Sequence, residues 1–550
     1  MKRFPLILLL CISLATKAGD NNDRAMYSYS QSVDIFSSVI KNLSTHYVDT
    51  INLDEIVQLG IDAMLYQLDP YTNYFDEEEA SEFTAHNSGE YAGIGCLIMN
   101  RDSAVYISEV IENTPAQQTG LRAGDKFVII NNDTVLGWSS DKVSSHLRGI
   151  PNSALTLEIE RPGADSLLHF DINRQLIQQS SVPYYCCLSD SIGYIQLESF
   201  SEKSYDETRT ALLDLMENNP IEGLILDLRG NGGGLVQNAI NILGMFLPRG
   251  TTVLKSKGRD EIENVYVTPL DPIAPNLPIV VLIDGNSASA SEVTAGALQD
   301  LDRAVIMGER SFGKGLIQST YPLPFNGIIK ITTNYYYTPS GRSIQAIDYK
   351  NRDKQGEARR IPDSLTNEFT TSLGRIVRDG GGITPDIAIA PDTMSHLCFA
   401  LWNNHCFFDF ATQYVLQHDS ITDIANFYLT DKDYQAFKDF VVNKDIKYDR
   451  YTSRSLNYLR EAMKFEGYLN DSTQLLLEQL SQSLTHNISS ELDFFRKEIE
   501  KELTMEIVKR YQYQRASIIV AIRDDKTIEK ALEILHTPKQ YAQILSPTQQ

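Results

Sequence analysis

Residues 279–292 read Ile-Val-Val-Leu-Ile-Asp-Gly-Asn-Ser-Ala-Ser-Ala-Ser-Glu, a pattern that indicates the fold class. Five consecutive apolar residues predict a buried strand, and the small residues that follow predict the start of a helix. The surrounding sequence alternates in the same way, with strands expected at Ile192–Leu197 and Gly223–Leu228 and a helix at Tyr205–Met216. Residues 190–390 are therefore expected to form an α/β layered structure.

The junction between this strand and this helix is a place where a serine can act as a nucleophile. A side chain there is exposed at the positive end of the helix, and the N–H after it can face a developing oxyanion. Ser287, Ser289 and Ser291 alternate with alanines at the junction, but serines are also ordinary helix N-caps. The nucleophile-elbow pattern G-x-S-x-G is absent here, so the pattern alone does not choose among the three.

A second candidate is the glycine run after the strand at Gly223–Leu228, where residues 226–234 read LDLRGNGGG. Glycines let a backbone turn sharply and present N–H groups to an anion, although a tight strand-to-helix turn has the same composition. A phosphate-binding loop is not favoured, because no Gly-Lys-Ser/Thr follows the run.

A third candidate is Lys314, which lies between Gly313 and Gly315. A lysine acts as a general base only if its surroundings lower its pKa from about 10.4 toward neutrality; otherwise it is an exposed loop charge. On an extended strand the Cα atoms of Lys314 and Gln318 would be about 13 Å apart, so contact needs a bend. No histidine occurs between residues 190 and 390, which favours a Ser–Lys pair over a Ser–His–Asp triad.

Residues 88–176 show short strands, glycines and short helices in a different order. The strand-like Tyr91–Met99 is interrupted by two glycines, residues 115–119 predict a short helix that ends in glycine, and GLRAGD occupies residues 120–125. This order resembles a PDZ domain, in which a glycine loop holds a peptide's terminal carboxylate and the next strand offers an edge for β-augmentation. The peptide-binding residues that the resemblance implies are Gly93, Ile94, Gly95 and Cys96.

Taken together, the three segments resemble the catalytic segments of the C-terminal processing (tail-specific) serine peptidases. The resemblance extends over residues 30–390 and includes YTPSGRSIQ at 337–345, GGITPD at 381–386, and the Tyr47-Val48-Asp49 and Leu68-Asp69-Pro70 stretches that precede the family's PDZ domain. One departure is Tyr71-Thr72, where relatives often carry His-Ser, and it leaves the chemistry unchanged.

The resemblance implies a role for each candidate residue. Ser289 would be the nucleophile, Lys314 the general base, and Gln318 the group that orients the lysine amine. The oxyanion hole would use the N–H of Ala290 and one from the glycine run, Gly233 or Gly234. We expect no cofactor and no metal, since no Cys/His cluster typical of zinc sites occurs in the chain.

The implied fold is multidomain α/β, with a crotonase-like ββα peptidase core, an inserted PDZ domain, an N-terminal helical segment and a C-terminal helical domain. Apolar residues three to four apart support the helices at residues 33–43 and 492–507. We expect the C-terminal helices to pack as a domain, with a partner-docking or dimer arm as the alternative. The predicted boundaries are 1–18 for a signal peptide, 19–87 for a leader and helical segment, 88–176 for PDZ, 177–390 for the peptidase core and 391–550 for the helical domain.

The first residues predict export. Lys2 and Arg3, the apolar run Phe4–Leu14 and the small Ala18 form a secretory signal peptide, with cleavage expected after Ala18. The alternative is a short membrane anchor, but the apolar run is about half of the ~20 residues that span a bilayer. Cleavage leaves an odd number of cysteines, which we expect to be buried free thiols, with Cys398–Cys406 as the local pair to test.

Charge excludes some partners. The chain has 550 residues with 49 Lys+Arg and 72 Asp+Glu, for a net charge of −23, which argues against binding nucleic acids or anionic membranes. The sequence thus predicts a periplasmic or otherwise extracytoplasmic serine endopeptidase that captures protein C-terminal tails in its PDZ groove and cleaves through an acyl-enzyme. It predicts no integral membrane span and leaves a homo-oligomer open. The alternatives are a catalytically silent PDZ scaffold that binds envelope proteins and a crotonase-like acyl-CoA enzyme, which the signal peptide opposes.

Overall fold

A computed structural model describes residues 27–189, 191–444, 446, 448, 451–484 and 487–547. The predicted signal peptide at residues 1–18 lies outside the described residues. The chain divides into two compact units, one formed by Met1–Ala80 with Gln318–Thr333 and the other by Ser81–Ile317 with Asn334–Gln550.

Helices and strands follow the sequence pattern closely. The helices are α1 (27–46), α2 (Leu53–Tyr66), α3 (Glu77–Ser88), α4 (Pro115–Thr119), α5 (Ser140–Leu147), α6 (Ser204–Asn218), α7 (Val236–Leu243), α8 (Ala290–Asp300), α9 (His396–Asn403), α10 (Cys406–Val415), α11 (Asp431–Asn443), α12 (Tyr451–Phe465), α13 (Asp471–Ser483), α14 (Ile488–Phe494), α15 (Arg496–Ile522), α16 (Lys526–Leu535) and α17 (Pro538–Ile544). The strands are β1 (Asn73–Phe75), β2 (Glu90–Gly93), β3 (Cys96–Arg101), β4 (Ala104–Val110), β5 (Lys126–Ile130), β6 (Asp133–Thr134), β7 (Ala154–Glu160), β8 (Leu168–Asn173), β9 (Gln175–Gln178), β10 (Tyr184–Leu188), β11 (Ile192–Gln196), β12 (Gly223–Asp227), β13 (Thr252–Gly258), β14 (Glu263–Val267), β15 (Ile279–Ile283), β16 (Val305–Gly308), β17 (Leu316–Pro322), β18 (Ile328–Tyr337), β19 (Ile347–Asp348), β20 (Arg359–Arg360), β21 (Glu368–Thr370), β22 (Ile376–Arg378) and β23 (Ile387–Ala388).

The smaller unit contains α1, α2 and β1, and β1 pairs antiparallel with Ile328–Lys330. Helix α2 stops before Asp69, whose carboxylate accepts hydrogen bonds from the backbone N–H groups of Tyr71 and Thr72. The Thr72 hydroxyl also donates to Asp69 and accepts from the backbone N–H of Thr332. Threonine at position 72 therefore provides the hydroxyl that this turn uses.

In the larger unit, residues 90–178 form the region that resembles a PDZ domain. Its sheet has the order β3-β4-β5-β7-β8, with α4 and α5 beside it, and β2 pairs with β9 where the chain enters and leaves. The Asp125 carboxylate of the GLRAGD turn accepts from the backbone N–H of Arg122 and forms an ion pair with Arg161 on the way out of β7. This motif thus ties the turn before β5 to the end of the neighbouring strand β7.

The predicted α/β layer is a six-stranded sheet with the order β10-β11-β12-β15-β16-β23, parallel except for the edge strand β10. Alternating side chains of a buried strand point to opposite faces, so both faces are apolar. On one face, Leu226 and Val281 pack in a core with residues of α6, α7 and α8. On the other, Ile225 and Val280 pack against Ile534 and other residues of α16.

The C-terminal residues pack as the domain that the sequence predicts. Helices α9, α10, α11 and α15 share a core that contains Leu492, Ile499, Leu503 and Ile507. The predicted spacing of apolar residues is confirmed, although the segment forms two helices, α14 and α15, which meet at Phe495. The Leu492 carbonyl accepts a hydrogen bond from the Tyr434 hydroxyl. Near the end of the chain, the Tyr541 hydroxyl bonds both the backbone N–H and the carbonyl of Ile279 in β15.

Within the described ranges, no helix is long and apolar enough to cross a membrane, and no cluster of three or more potential metal ligands occurs. All five cysteines there are free thiols. Cys398 and Cys406 are buried and unbridged, as expected, whereas Cys96, Cys186 and Cys187 are partly exposed.

Prediction for the sheet face: Ile534→Ala should lower the free energy of unfolding by about 2–4 kcal/mol, because Ile534 is 0% exposed and its loss leaves a cavity between α16 and the sheet. Urea denaturation followed by far-UV circular dichroism measures this. Leu476→Ala, in α13 and 63% exposed, is the control and should change stability by less than about 0.5 kcal/mol. Equal stability of the two variants would contradict the packing of α16 on the sheet.

Candidate active site

Three segments meet because of the sheet topology. The glycine run follows β12, the Ser-Ala segment follows β15, and the lysine segment follows β16. These strands are adjacent and parallel in the sheet, so their carboxyl ends share one edge. Segments that are far apart in sequence are thereby placed side by side.

The Ser289 backbone is strained. Its φ and ψ are 56° and −112°, a region that L-residues with a side chain rarely adopt, and α8 begins at the next residue. The turn into it is braced by Asp284, whose carboxylate accepts from the backbone N–H groups of Asn286 and Ser287. Strain of this kind persists only where neighbouring contacts hold it, and it puts Ser289 at the positive end of α8.

Burial separates the three serines that the sequence could not separate. Ser287 and Ser291 are both 0% exposed. The Ser287 hydroxyl donates to the Leu228 carbonyl, and the Ser291 hydroxyl donates to the Asn231 carbonyl. Ser289 is partly exposed. The two outer serines therefore join the glycine run to the helix start, and the middle one is partly exposed.

The glycine run lies against Ser289. A Cβ on Gly233 would lie 2.8 Å from the Ser289 Cβ and 2.9 Å from the Ala290 nitrogen, so this contact requires glycine. Gly234 instead packs against Phe200, where a Cβ would lie 2.5 Å from the carbonyl oxygen. The Gly233 N–H donates to Asn231 Oδ1 at 2.8 Å. Of the two candidate glycines, the structure thus brings Gly233 next to Ser289 and Ala290.

Glu292 is the residue that sequence reasoning missed. It is 0% exposed, and its Oε2 accepts from the backbone N–H groups of both Ser289 and Lys314, each at 2.9 Å. Its Oε1 accepts from the Ser311 hydroxyl at 2.5 Å and from the Gly313 N–H at 2.7 Å. The sequence signal that could have identified Glu292 is the S-x-x-E spacing of a capping box, from Ser289 to Glu292.

Burial raises the pKa of the Glu292 carboxyl, and the hydrogen bonds from Ser311, Lys314, Ser289 and Gly313 oppose that shift. Four donors satisfy the hydrogen-bonding capacity of this buried carboxylate. If the carboxylate were removed, each of these donors would lose its acceptor, which costs free energy when the donor is buried. Glu292 therefore fixes the backbones of Ser289 and Lys314 relative to each other.

Glycines on both sides fix the Lys314 backbone. Gly313 has φ 92°, and a Cβ there would lie 2.3 Å from the Ala346 Cβ. The Gly315 N–H donates to the side chain of Gln345 at 2.8 Å. Lys314 itself is half-buried and lies before β17 rather than within it.

Gln318 belongs to the smaller unit, formed by residues 1–80 and 318–333. There its Nε2 donates to Thr332 Oγ1 at 3.1 Å, which orients the side-chain amide. Its expected action on the lysine amine stays a prediction.

The Gly93–Cys96 loop has its carbonyls turned toward α4 and β4. The Ile94 carbonyl accepts from the Ala116 N–H, and the Gly95 carbonyl accepts from the Ile111 N–H. Because the C=O and N–H of one planar peptide group point in opposite directions, the N–H groups of Gly95 and Cys96 point away from these elements. They line a cleft of about 1410 Å³ that also contains residues of β10 and of α15.

Three family models match the chain in this order along the sequence. The PDZ domain model matches residues 84–160, the model for peptidase family S41 matches 191–351, and the model for the C-terminal helical domain of probable PDZ-proteases matches 397–535. These matches confirm the expected architecture of a peptidase core with an inserted PDZ domain and a C-terminal helical domain.

Two relatives match the chain over more than two thirds of their own length. It is 35% identical over 340 residues to a carboxy-terminal-processing protease of Bartonella bacilliformis, covering 61% of this chain and 77% of that protein. It is 30% identical over 336 residues to the carboxy-terminal processing protease CtpB of Bacillus subtilis, covering 60% of this chain and 68% of that protein. Among solved structures, the photosystem II D1 C-terminal processing protease is 25% identical, covering 66% of this chain and 93% of that chain, with a TM-score of 0.35.

Prediction for the buried carboxylate: Glu292→Gln should slow the reaction of Ser289 with a serine-directed acylating reagent by about 100-fold. A displacement of reacting groups by about 1 Å can slow a reaction by this factor. Glutamine keeps the volume but turns one acceptor oxygen into a donor, so two of the four donors lose their acceptor. Intact-protein mass spectrometry at a temperature where both proteins are folded gives the rate.

Glu309→Gln, in the segment after β16 and partly exposed, is the control and should react like the unmodified protein. A Glu292→Gln protein that is labelled at the full rate would contradict the positioning role of the carboxylate.

Proposed function

The chain belongs to peptidase family S41, the C-terminal processing serine peptidases, and on that premise we propose that it cuts exported proteins with a Ser289–Lys314 dyad. Substrates are recognised by their C-terminal tails in the PDZ domain. The proposed site of action is outside the cytoplasm, which rests on the signal-peptide pattern of residues 1–18.

In the proposed reaction, Ser289 Oγ attacks the carbonyl carbon of the scissile bond while the neutral Lys314 amine takes its proton. The bond to the leaving nitrogen then breaks, and the lysine returns the proton to that nitrogen. An ester between Ser289 and the substrate's acyl group remains. A water molecule that gives its proton to Lys314 attacks this ester, and Ser289 regains a proton as the second product leaves.

The oxyanion that forms on the carbonyl is stabilised by two backbone N–H groups, those of Ala290 and Gly233. Support for Gly233 over Gly234 is its contact with Ser289. The Gly233 N–H donates to Asn231 Oδ1, which orients it beside Ser289, and the oxyanion accepts from the same N–H when substrate docks. The positive end of α8 adds to the stabilisation.

The observation that carries this proposal is the shared carboxylate oxygen of Glu292. One atom accepts from the backbone N–H of both Ser289 and Lys314, which are 25 residues apart in the chain. A buried charge is expensive to keep, and burying one to hold two backbones is typical of a preorganised site.

Gln318 orients the Lys314 amine in this proposal, as the family resemblance implies. Its own amide is oriented by the bond to Thr332.

Prediction for the dyad: Ser289→Ala and Lys314→Ala should each lower the cleavage rate by about 10⁴-fold or more. Lys314→Arg should be nearly as inactive, because an arginine cannot give up its proton near neutral pH. For the unmodified enzyme the rate should rise with pH as the lysine becomes neutral. Mass spectrometry of an unstructured reporter protein with an apolar C-terminal tail measures cleavage.

Lys354→Arg, at an exposed lysine, is the matched control and should keep full activity. An active Lys314→Arg enzyme would overturn the dyad and assign Lys314 to substrate binding or structure.

Prediction for tail capture: peptides with a free terminal carboxylate should bind at least about 10-fold more tightly than the same peptides amidated, because hydrogen bonds to a charged acceptor are strong. Fluorescence anisotropy with the Ser289→Ala protein avoids cleavage during the measurement. Gly95→Ala should remove this preference, since Gly95 has φ 84° and a Cβ would lie 2.2 Å from the Thr114 Cβ.

The matched control is Gly137→Ala, where φ is 82° but no atom lies within 4 Å of the added Cβ. Equal binding of free and amidated peptides by the unmodified loop would remove tail-carboxylate recognition from the proposal.

A further inference from the structure

We infer that Asp525, in the C-terminal helical domain, is a positioning residue for the proposed reaction. It acts on the glycine run beside Ser289 through its ion pair with Arg229, and this inference rests on the proposed function. None of the sequence patterns pointed to Asp525, because nothing near it in the chain carries chemistry.

Arg229 is held by two carboxylates at once. Its Nε and Nη2 donate to Asp227, with the shortest of these contacts, Nη2 to Oδ2, at 2.6 Å. Its Nη1 donates to Asp525 Oδ2 at 2.8 Å. The Asp227 side chain is 6% exposed and also accepts from the Tyr194 hydroxyl. Asp227 thus fixes one edge of the guanidinium, and Asp525 fixes the other.

The two oxygens of Asp525 have separate partners. Oδ1 accepts from the backbone N–H groups of Thr527 and Ile528, which makes Asp525 the N-cap of α16. Oδ2 accepts from Arg229. Burial raises the pKa of this carboxyl, but the Arg229 charge and the hydrogen bonds outweigh burial and leave it lowered, so the group is ionised. A single side chain therefore caps a helix and binds the loop.

Helix α16 gives this carboxylate a rigid support. Its apolar residues Ile528, Ala531 and Ile534 are buried against the face of the peptidase sheet. The N-cap of a helix packed in this way has little freedom, so Asp525 offers Arg229 a fixed anchor rather than a mobile surface charge. A surface ion pair with two mobile partners would contribute little.

Arg229 is the residue at which the glycine run begins. The next residue, Gly230, donates its N–H to Asp284 at 3.0 Å, and Asp284 braces the turn that leads to Ser289. The carbonyl of Asn231 accepts from Ala288 and Ser291, and its side chain accepts from Gly233. A shift of Arg229 is therefore passed along three residues to the proposed oxyanion donor.

Loss of the Asp525 contact should affect the transition state more than substrate binding. The oxyanion exists only after attack by Ser289, whereas the tail binds in the PDZ domain. A loosened Gly233 lowers kcat and leaves KM nearly unchanged.

Two substitutions at the same position separate the two tasks of Asp525. Asp525→Asn keeps a capping oxygen but presents a donor to Arg229, so it removes the ion pair and keeps the cap. Asp525→Glu keeps the carboxylate for Arg229 but is a poor N-cap. Both are made in the full-length enzyme, and kcat and KM are measured per active site titrated with a serine-directed acylating reagent.

We expect Asp525→Asn to lower kcat about tenfold with KM within twofold and the melting temperature nearly unchanged. Asp525→Glu should keep more of kcat but lower the melting temperature. The control is Lys526→Gln, which removes the neighbouring exposed ion pair with Asp392 and should change neither kcat nor KM. In an Arg229→Gln background, Asp525→Asn should have no further effect on kcat.

Hydrogen exchange of the amides of residues 230–234 tests the same inference without turnover. Exchange should become faster in Asp525→Asn and not in Lys526→Gln. Unchanged exchange together with an unchanged kcat per titrated site would overturn the inference. If the unmodified enzyme itself cleaves nothing, the proposed function fails, and the exchange data still decide whether Asp525 positions the loop.

Discussion

The site depends on one buried carboxylate. Removing Glu292 from water costs free energy that only a full set of hydrogen bonds offsets, and four donors from two different places in the chain supply that set. Because these donors belong to the start of α8 and to the segment after β16, satisfying the charge and assembling the site are the same event.

The rest of the fold brings these donors within reach. Three parallel neighbours, β12, β15 and β16, end at one edge of the sheet, and each is followed by one of the segments that the site uses. Helices α6 to α8 cover one face, and the C-terminal α16 covers the other, so the strands are buried on both sides. The C-terminal helical domain is therefore part of the peptidase core's packing.

Much of the fold was predictable from the sequence, and the features that were not predictable depend on contacts between residues far apart in the chain. Strands such as Ile279–Ile283 and helices such as Ser204–Asn218 follow from apolar runs and periodicity, which depend on near neighbours in the chain. The choice of Ser289 over Ser287 and Ser291 came from family resemblance, since three alternating serines look alike until their burial is known. Glu292 and Asp525 were missed as site residues because their importance lies in partners 22 and 296 positions away.

The hydroxyl of Tyr541 bonds both backbone groups of Ile279, and α16 closes the second face of the sheet. These contacts join α16 and α17 to strands far earlier in the chain, and Tyr541 lies 262 positions after Ile279. Contacts between residues so far apart in sequence form only after a long loop has closed, which costs conformational entropy. Until α16 docks, one apolar face of the peptidase sheet is uncovered. A folding chain therefore presents that face to chaperones and quality-control proteases until these helices pack.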